Sequence, residues 1–198
     1  GLPGSAEAAR KVRAAGKELL LHLPMEAEGG ENPGPGAVYT RMTDETVARL
    51  VSSHIASLPG AVGANNHMGS RATADERIMR AVLGTLKKNT MFFLDSGTTA
   101  LTTGRHVAKS LNVPFLERSV FLDNEKSKAS ILEAVGKGKV LAEKRGYAVM
   151  IGHVWCSELA EVLMEVYPDL LDEAYRFYPL AELLKGDPDG DDPRNGNV

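Results

Sequence analysis

The chain has 198 residues, 43% of them hydrophobic and 25% charged, which suffices for one globular domain with a sizeable core and leaves little room for two. A net charge of −3 and a pI near 6.0, with no run of adjacent Lys/Arg longer than a pair such as Lys87-Lys88, exclude the basic surface that nucleic acid requires. A single cysteine, Cys156, excludes an internal disulfide and a Cys-based zinc site. No apolar run reaches bilayer length, and Gly1-Leu2-Pro3-Gly4-Ser5 is not a signal region. The chain reads as a soluble body without its own address and, lacking an initiator Met, as a trimmed piece of something longer.

Ala6 to Ala15 predict a short helix ended by Gly16, and Glu18 to Leu23 a strand that Pro24 stops. Residues 27–37, rich in Gly, Pro, Asn and Glu, form a loop longer than most and hence functional or mobile. Thr43 caps a helix whose stripe Val47, Leu50, Val51, Ile55 and Leu58 runs to Pro59-Gly60. Ala61-Val62-Gly63-Ala64 reads as a buried parallel strand, and Thr73-Ala74-Asp75-Glu76 as a capping box opening the helix that carries Ile78, Met79, Val82, Leu83 and Leu86. Met91 to Leu94 is a third strand, followed by a helix over about 99–111. Residues 114–122 are extended, and the next helix bears Ile131, Leu132, Val135 and Leu141. Tyr147 to Gly152 is an apolar strand before the helix striped by Leu159, Val162, Leu163 and Val166, and a last strand falls near 176–180. The tail 185–198, rich in Gly, Pro, Asp and Asn, reads as disordered. Strand and helix alternate with short links, which implies α/β architecture, right-handed crossovers and a largely parallel sheet.

Polar residues gather at the carboxyl ends of these strands: His22, Asn65 to Arg71, Asp95, Asp123 and His153. In parallel sheets that rim is where ligands bind and chemistry is done. Each residue also has a plainer role. A histidine after a strand often caps a helix or hydrogen-bonds in a wall, and Asp95 and Asp123 are each suited to cap the following helix, worth about 1 kcal/mol. Glu26 stands four residues after His22, but Pro24 prevents a helix that would pair them. Arg71 can clamp a carboxylate or a sugar oxygen, or pair with Asp75. Asn65 and Asn66 can serve a tight turn. Trp155 is either an exposed platform for a sugar ring or a core packer. His54 and His106, inside helices, are read as structural.

These segments resemble the divergent polysaccharide deacetylase family, relatives of the NodB-type carbohydrate esterases. The resemblance rests on His22-Leu23-Pro24-Met25-Glu26, Asn65 to Arg71, Phe93-Leu94-Asp95-Ser96 with Thr98-Thr99, Val120 to Asn124, and Ile151-Gly152-His153, in the family's order over about residues 5–184. It implies a distorted (β/α) barrel over residues 1–184 that lacks its first two strands, because the family's opening Asp-Asp strand has no counterpart here. It further implies a divalent metal, usually zinc, that activates water toward an N-acetyl or O-acetyl carbonyl. His22 and His67 would be metal ligands and His153 the acid toward the leaving amine. Asp95 would orient His153 or contact substrate, Arg71 would position substrate or base, and Asn66, Ser70 and Trp155 would bind substrate. The implied partner is an acetylated polysaccharide or oligosaccharide, with no nucleic acid and no membrane span, and the implied address is the periplasm or cell surface. Oligomeric state has no signal in the sequence.

Two departures bear on substrate contacts, since Gly97 stands where the family suggests Arg and Val154 where it suggests Pro. The expected function is therefore a metal-dependent carbohydrate deacetylase acting on acetylated amino sugars. The alternative is a catalytically inactive deacetylase-like module that binds carbohydrate or a protein partner. A metal-dependent phosphoesterase ranks last, with Arg71 as its one obvious anion clamp.

Overall fold

The alternation of two-residue and 3.6-residue apolar periods becomes, in the computed structural model, which describes residues 4–185, the order α1 (Ser5–Ala14), β1 (Leu20–Met25), α2 (Asp44–Ser57), β2 (Gly63–Met68), α3 (Glu76–Lys88), β3 (Phe92–Asp95), α4 (Gly104–Leu111), β4 (Phe115–Glu117), β5 (Val120–Phe121), α5 (Lys128–Arg145), β6 (Met150–Ile151), α6 (Ser157–Asp172) and α7 (Leu180–Leu183). The chain divides into two compact units, Gly1–Glu117 and Arg118–Val198. The first holds a four-stranded sheet in the order β1-β2-β3-β4 and the second the pair β5-β6. Every paired strand runs parallel to its neighbour. The α/β class and the parallel sheet therefore follow the expectation.

In the first unit one sheet face is covered by helices. Leu21, Leu23 and Met25 of β1, Ala64 of β2 and Phe93 of β3 pack with Val47 and Val51 of α2, with the apolar stripe of α3 and with Val107 and Ala108 of α4. Leu23, Met25 and Phe93 are fully buried, each contributing about 1.5–3 kcal/mol of transfer free energy. Side chains alternate along a strand, so His22, Asn65 and His67 fall on the opposite face. A one-residue slip of β1 would send His22 under the helices and expose Leu21 and Leu23, and the apolar term forbids it.

The second unit repeats the plan on a smaller scale. Val120 and Leu122 pack against Ile131, Ala134 and Val135 of α5 and against Leu159, Val162 and Leu170 of α6. Tyr175 locks the far end, donating its hydroxyl to Glu143 at 2.8 Å, which pushes its pKa up to about 12.

Several local expectations change. Strand β1 does not stop at Pro24 but runs to Met25. The missing N–H of Pro24 lies on the sheet's outer edge, where its carbonyl still accepts from Val38 N–H at 2.9 Å, and an edge strand tolerates proline there. Strand β2 begins at Gly63 and carries Asn65, Asn66 and His67 within it, so these residues are strand and not turn. The cap of α3 is Asp75, which accepts from Ile78 N–H, while the Thr73 hydroxyl donates to the Gly69 carbonyl at 2.9 Å. Helix α4 starts at Gly104, later than about 99, after a stretch that Asp95 and Thr102 organise. The extended run 114–122 is two strands in different sheets, with the division between the units falling between them. No strand forms at 176–180 among the described residues; α7 begins at Leu180 instead. The tail read as disordered lies, from residue 186 onward, outside the described residues.

Candidate functional site

In the first unit the site grows from strand register. His22 lies opposite Asn65, and Pro24 opposite His67, so His22, Asn65 and His67 share a face near the carboxyl ends of β1 and β2. His22 Nε2 is 3.2 Å from His67 Nδ1, and the rings meet edge to face with centroids 5.0 Å apart. His22 Nδ1 is 3.0 Å from Asn65 Oδ1, and Asn65 Nδ2 donates to Ser96 Oγ at 3.2 Å.

Asn66 points to the other face and is 1% exposed. Its Nδ2 donates to the Met68 carbonyl at 2.7 Å and its Oδ1 accepts from Ser96 N–H at 2.8 Å, so both ends of its amide are spent inside the protein. Ser70 Oγ accepts from Glu28 N–H at 2.9 Å, tying the loop after β1 to the turn after β2. That turn uses two left-handed residues, Met68 at φ 54° and Gly69 at φ 97°, the second favouring glycine.

Arg71 reaches Glu26 and not Asp75, loosely, at 3.8 Å, and its side chain is half exposed. Glu26 itself accepts from the Thr40 N–H at 2.6 Å and the Thr40 hydroxyl at 2.7 Å. Burial pushes the Glu26 carboxyl up, but the Thr40 donors and the nearby Arg71 and Arg41 outweigh it and hold it below the usual range. Asp95, fully buried, accepts from Gly97 N–H at 2.8 Å and from the Thr102 hydroxyl at 2.6 Å. It is not the cap of α4, a position held by Thr103.

The second unit holds a polar cluster of its own. The register Val120↔Met150 and Phe121↔Ile151, continued two residues on, brings Asp123 opposite His153. Asp123 Oδ2 accepts from the His153 N–H at 2.8 Å, and the carboxylate lies 3.0 and 3.1 Å from His153 Nδ1. The Asp123 side chain is 2% exposed against 38% for His153. Nδ1 therefore carries the proton, and Nε2 is left to accept or deliver one. The imidazole is stacked between Phe121, at 6.1 Å, and Trp155, at 4.6 Å, with Arg118 over Phe121 at 4.0 Å. Trp155 is 69% exposed, so it is a surface residue and not a core packer.

The plainer role open to Asp123, capping the next helix, belongs to Ser127 of α5. The signal that finds Asp123 is the matched spacing of Phe121 to Asp123 and of Ile151 to His153 on paired strands. Ser96 carries no role in the sequence reading, because only the fold brings it to Asn65.

A profile of the divergent polysaccharide deacetylase family matches residues 1–184. The chain belongs to the divergent polysaccharide deacetylase family. It is 32% identical over 151 residues to the uncharacterized protein YibQ of Escherichia coli K12, covering 76% of this chain and 47% of that one. It is 31% identical over 144 residues to an uncharacterized protein of Haemophilus influenzae, covering 73% and 51%. The chain thus spans about half the length of the curated relatives it matches. The crystal structure of the uncharacterized protein ATU2773 from Agrobacterium tumefaciens shares the fold, with a TM-score of 0.84 at 24% identity over 88% of this chain and 71% of that one.

For this member of the family the implied zinc can be tested against the donors. Two nitrogens on a tetrahedral zinc stand about 3.3 Å apart, given Zn–N bonds of about 2.0–2.1 Å, and the imidazole pair is at 3.2 Å. The pair fits two corners of such a site, with the Asn65 amide behind one of them as an outer partner. Among the described residues no group of three or more His, Cys, Asp and Glu is placed to hold an ion. Among the same residues no helix is long and apolar enough to cross a membrane.

Proposed function

We propose that this chain is the hydrolytic part of a metal-dependent deacetylase that removes acetyl groups from an acetylated amino-sugar polysaccharide, in an exported setting such as the periplasm or cell surface. The observation that carries the reading is the pair of imidazole nitrogens held 3.2 Å apart on one sheet face, a spacing suited to a shared cation. Hydrolysis of an acetamide needs a polarised carbonyl, a nucleophilic water and a proton for the leaving amine. A zinc ion, when bound, supplies the first two by Lewis acidity and by lowering the pKa of water.

His22 and His67 would hold the cation through the two facing ring nitrogens. His153 would give the proton from Nε2 as an imidazolium and return to neutral imidazole, while Asp123, through two hydrogen bonds, fixes the ring and stabilises that imidazolium before the proton leaves. Trp155 offers a flat face for a pyranose ring. Arg71, anchored only loosely, keeps donors for sugar oxygens. Asn66, Ser70 and Asp95 act by shaping the loops that border the rim, since their polar atoms are engaged by the protein.

The test is elemental analysis of protein prepared without chelator, beside a His22→Ala/His67→Ala variant, followed by acetate release from acetylated chitooligosaccharides. Near one zinc per chain that vanishes in the variant, with acetate release that follows the metal, is the expected result. Protein that holds no metal and releases no acetate, yet retains acetylated oligosaccharide through Trp155, would replace the enzyme with a carbohydrate-binding relative. The exposed Trp155 is the observation that favours that second reading.

A further inference from the structure

The imidazole pair has a polarity that can be traced residue by residue. A serine hydroxyl has one hydrogen to give. Ser96 gives it to the Asn66 carbonyl at 2.8 Å, which can only accept. The Ser96 oxygen therefore meets Asn65 as an acceptor, and the Asn65 amide must turn its Nδ2 toward it, at 3.2 Å. The opposite end of that amide, Oδ1, then faces His22 Nδ1 at 3.0 Å and requires a proton there. His22 Nε2 keeps its lone pair and, without a cation, accepts from His67 Nδ1–H at 3.2 Å, a proton that a bound cation would displace.

Burial makes the relay stiff. Ser96 is 4% exposed and Asn66 1%, and Ser96 is held a second time by its own N–H, which donates to Asn66 Oδ1 at 2.8 Å.

We infer that Ser96 is a positioning residue that sets the tautomer of His22 through the Asn65 amide, so that Nε2 is presented as a cation ligand before any cation arrives. The inference deepens the proposed metal site and rests on that reading for its purpose, although the tautomer itself exists without metal. Were the amide reversed, its NH2 would face Nδ1, the proton would move to Nε2, and the ligating lone pair would be lost.

Nitrogen-15 NMR of metal-free protein, at a pH where the ring is neutral, reads the tautomer directly, and calorimetric titration with zinc reads its consequence. Wild type is expected to show His22 protonated at Nδ1. Ser96→Ala frees the amide to turn, giving a mixed or inverted tautomer and zinc binding weaker by about 10- to 100-fold. Ser96→Thr keeps the hydroxyl and retains both readings. Asn65→Asp in the Ser96→Ala background restores Nδ1–H, because a carboxylate can only accept.

A wild-type His22 protonated at Nε2, or a tautomer indifferent to Ser96→Ala, overturns the inference. If wild type binds no zinc, the metal reading fails while the NMR result still decides the relay.

Discussion

Asp123 and His153 show how much chemistry depends on one hydrogen-bonded pair. The buried carboxylate accepts from both the backbone and the ring of His153, so Asp123→Ala removes the ring's anchor and its counter-charge together. In the proposed reaction that substitution is expected to lower kcat by about 10²- to 10⁴-fold. His153→Gln added to it should cost little more, because the two act as a unit; additive losses in steady-state kinetics would argue against the dyad. Glu26 gives a prediction in stability. Its carboxyl is held below its ordinary value of 4.5, so it binds its proton less readily folded than unfolded. The stabilisation is present at neutral pH and fades as pH falls through 4.5 and then through the lower folded value. Glu26→Gln is expected to cost about 2 kcal/mol at pH 7, from the weakened bonds to Thr40, and progressively less toward pH 3. Urea unfolding of both proteins along that pH series checks it, and a gap that widens in acid would reverse the assignment. His22, His67 and His153 were visible as polar endings of apolar runs. Asn65 and Asp123 were visible among them, but their pairing with His22 and His153, and the part of Ser96, were not, because a hydrogen bond between residues 30 or more apart has no local sequence period.

At the scale of elements, sequence located helices better than strands. Helix α2 begins where Thr43 indicates, with the Thr43 side chain accepting from Thr46 N–H. Helix α3 is a near case, since Thr73 and Asp75 are both able to cap and Thr73 is already committed to the Gly69 carbonyl. Asp75→Ala is expected to cost about 1 kcal/mol in thermal or chemical unfolding, and no change would return the cap to Thr73. Gly69 tests the turn that ends β2. A Cβ there would stand 3.1 Å from Met25 Cβ, on a backbone at φ 97°. Gly69→Ala should destabilise by about 1–2 kcal/mol from the left-handed conformation alone, more if Met25 cannot yield. The strand ends were misjudged for one reason. Pro24 and the polar triplet Asn65-Asn66-His67 look like breakers by propensity, yet the edge position of β1 and the pairing of β2 with β1 through Met68, and with β3 as far as Asn65, carry the backbone through them.

At the scale of the molecule, metal and fold should be linked. An ion that binds the folded chain and not the unfolded one stabilises it by about 2.7 kcal/mol at a hundred times Kd, or about 5–10 °C in Tm for a chain of this size. Zinc is expected to raise Tm of the wild type and to leave His22→Ala unmoved, by differential scanning fluorimetry; equal shifts in both would place the ion elsewhere. The sequence by itself determined the α/β class, the parallel order and the family, because apolar periodicity and the strand-end motifs are local properties that survive without coordinates. Tertiary structure decided that 114–122 is two strands in separate sheets, that His22 and His67 share a face at 3.2 Å, and that Asp123 is hydrogen-bonded to His153. Those outcomes depend on strand register, which is fixed by burying Leu21, Leu23 and Met25 on one face and so aims the histidines at the other.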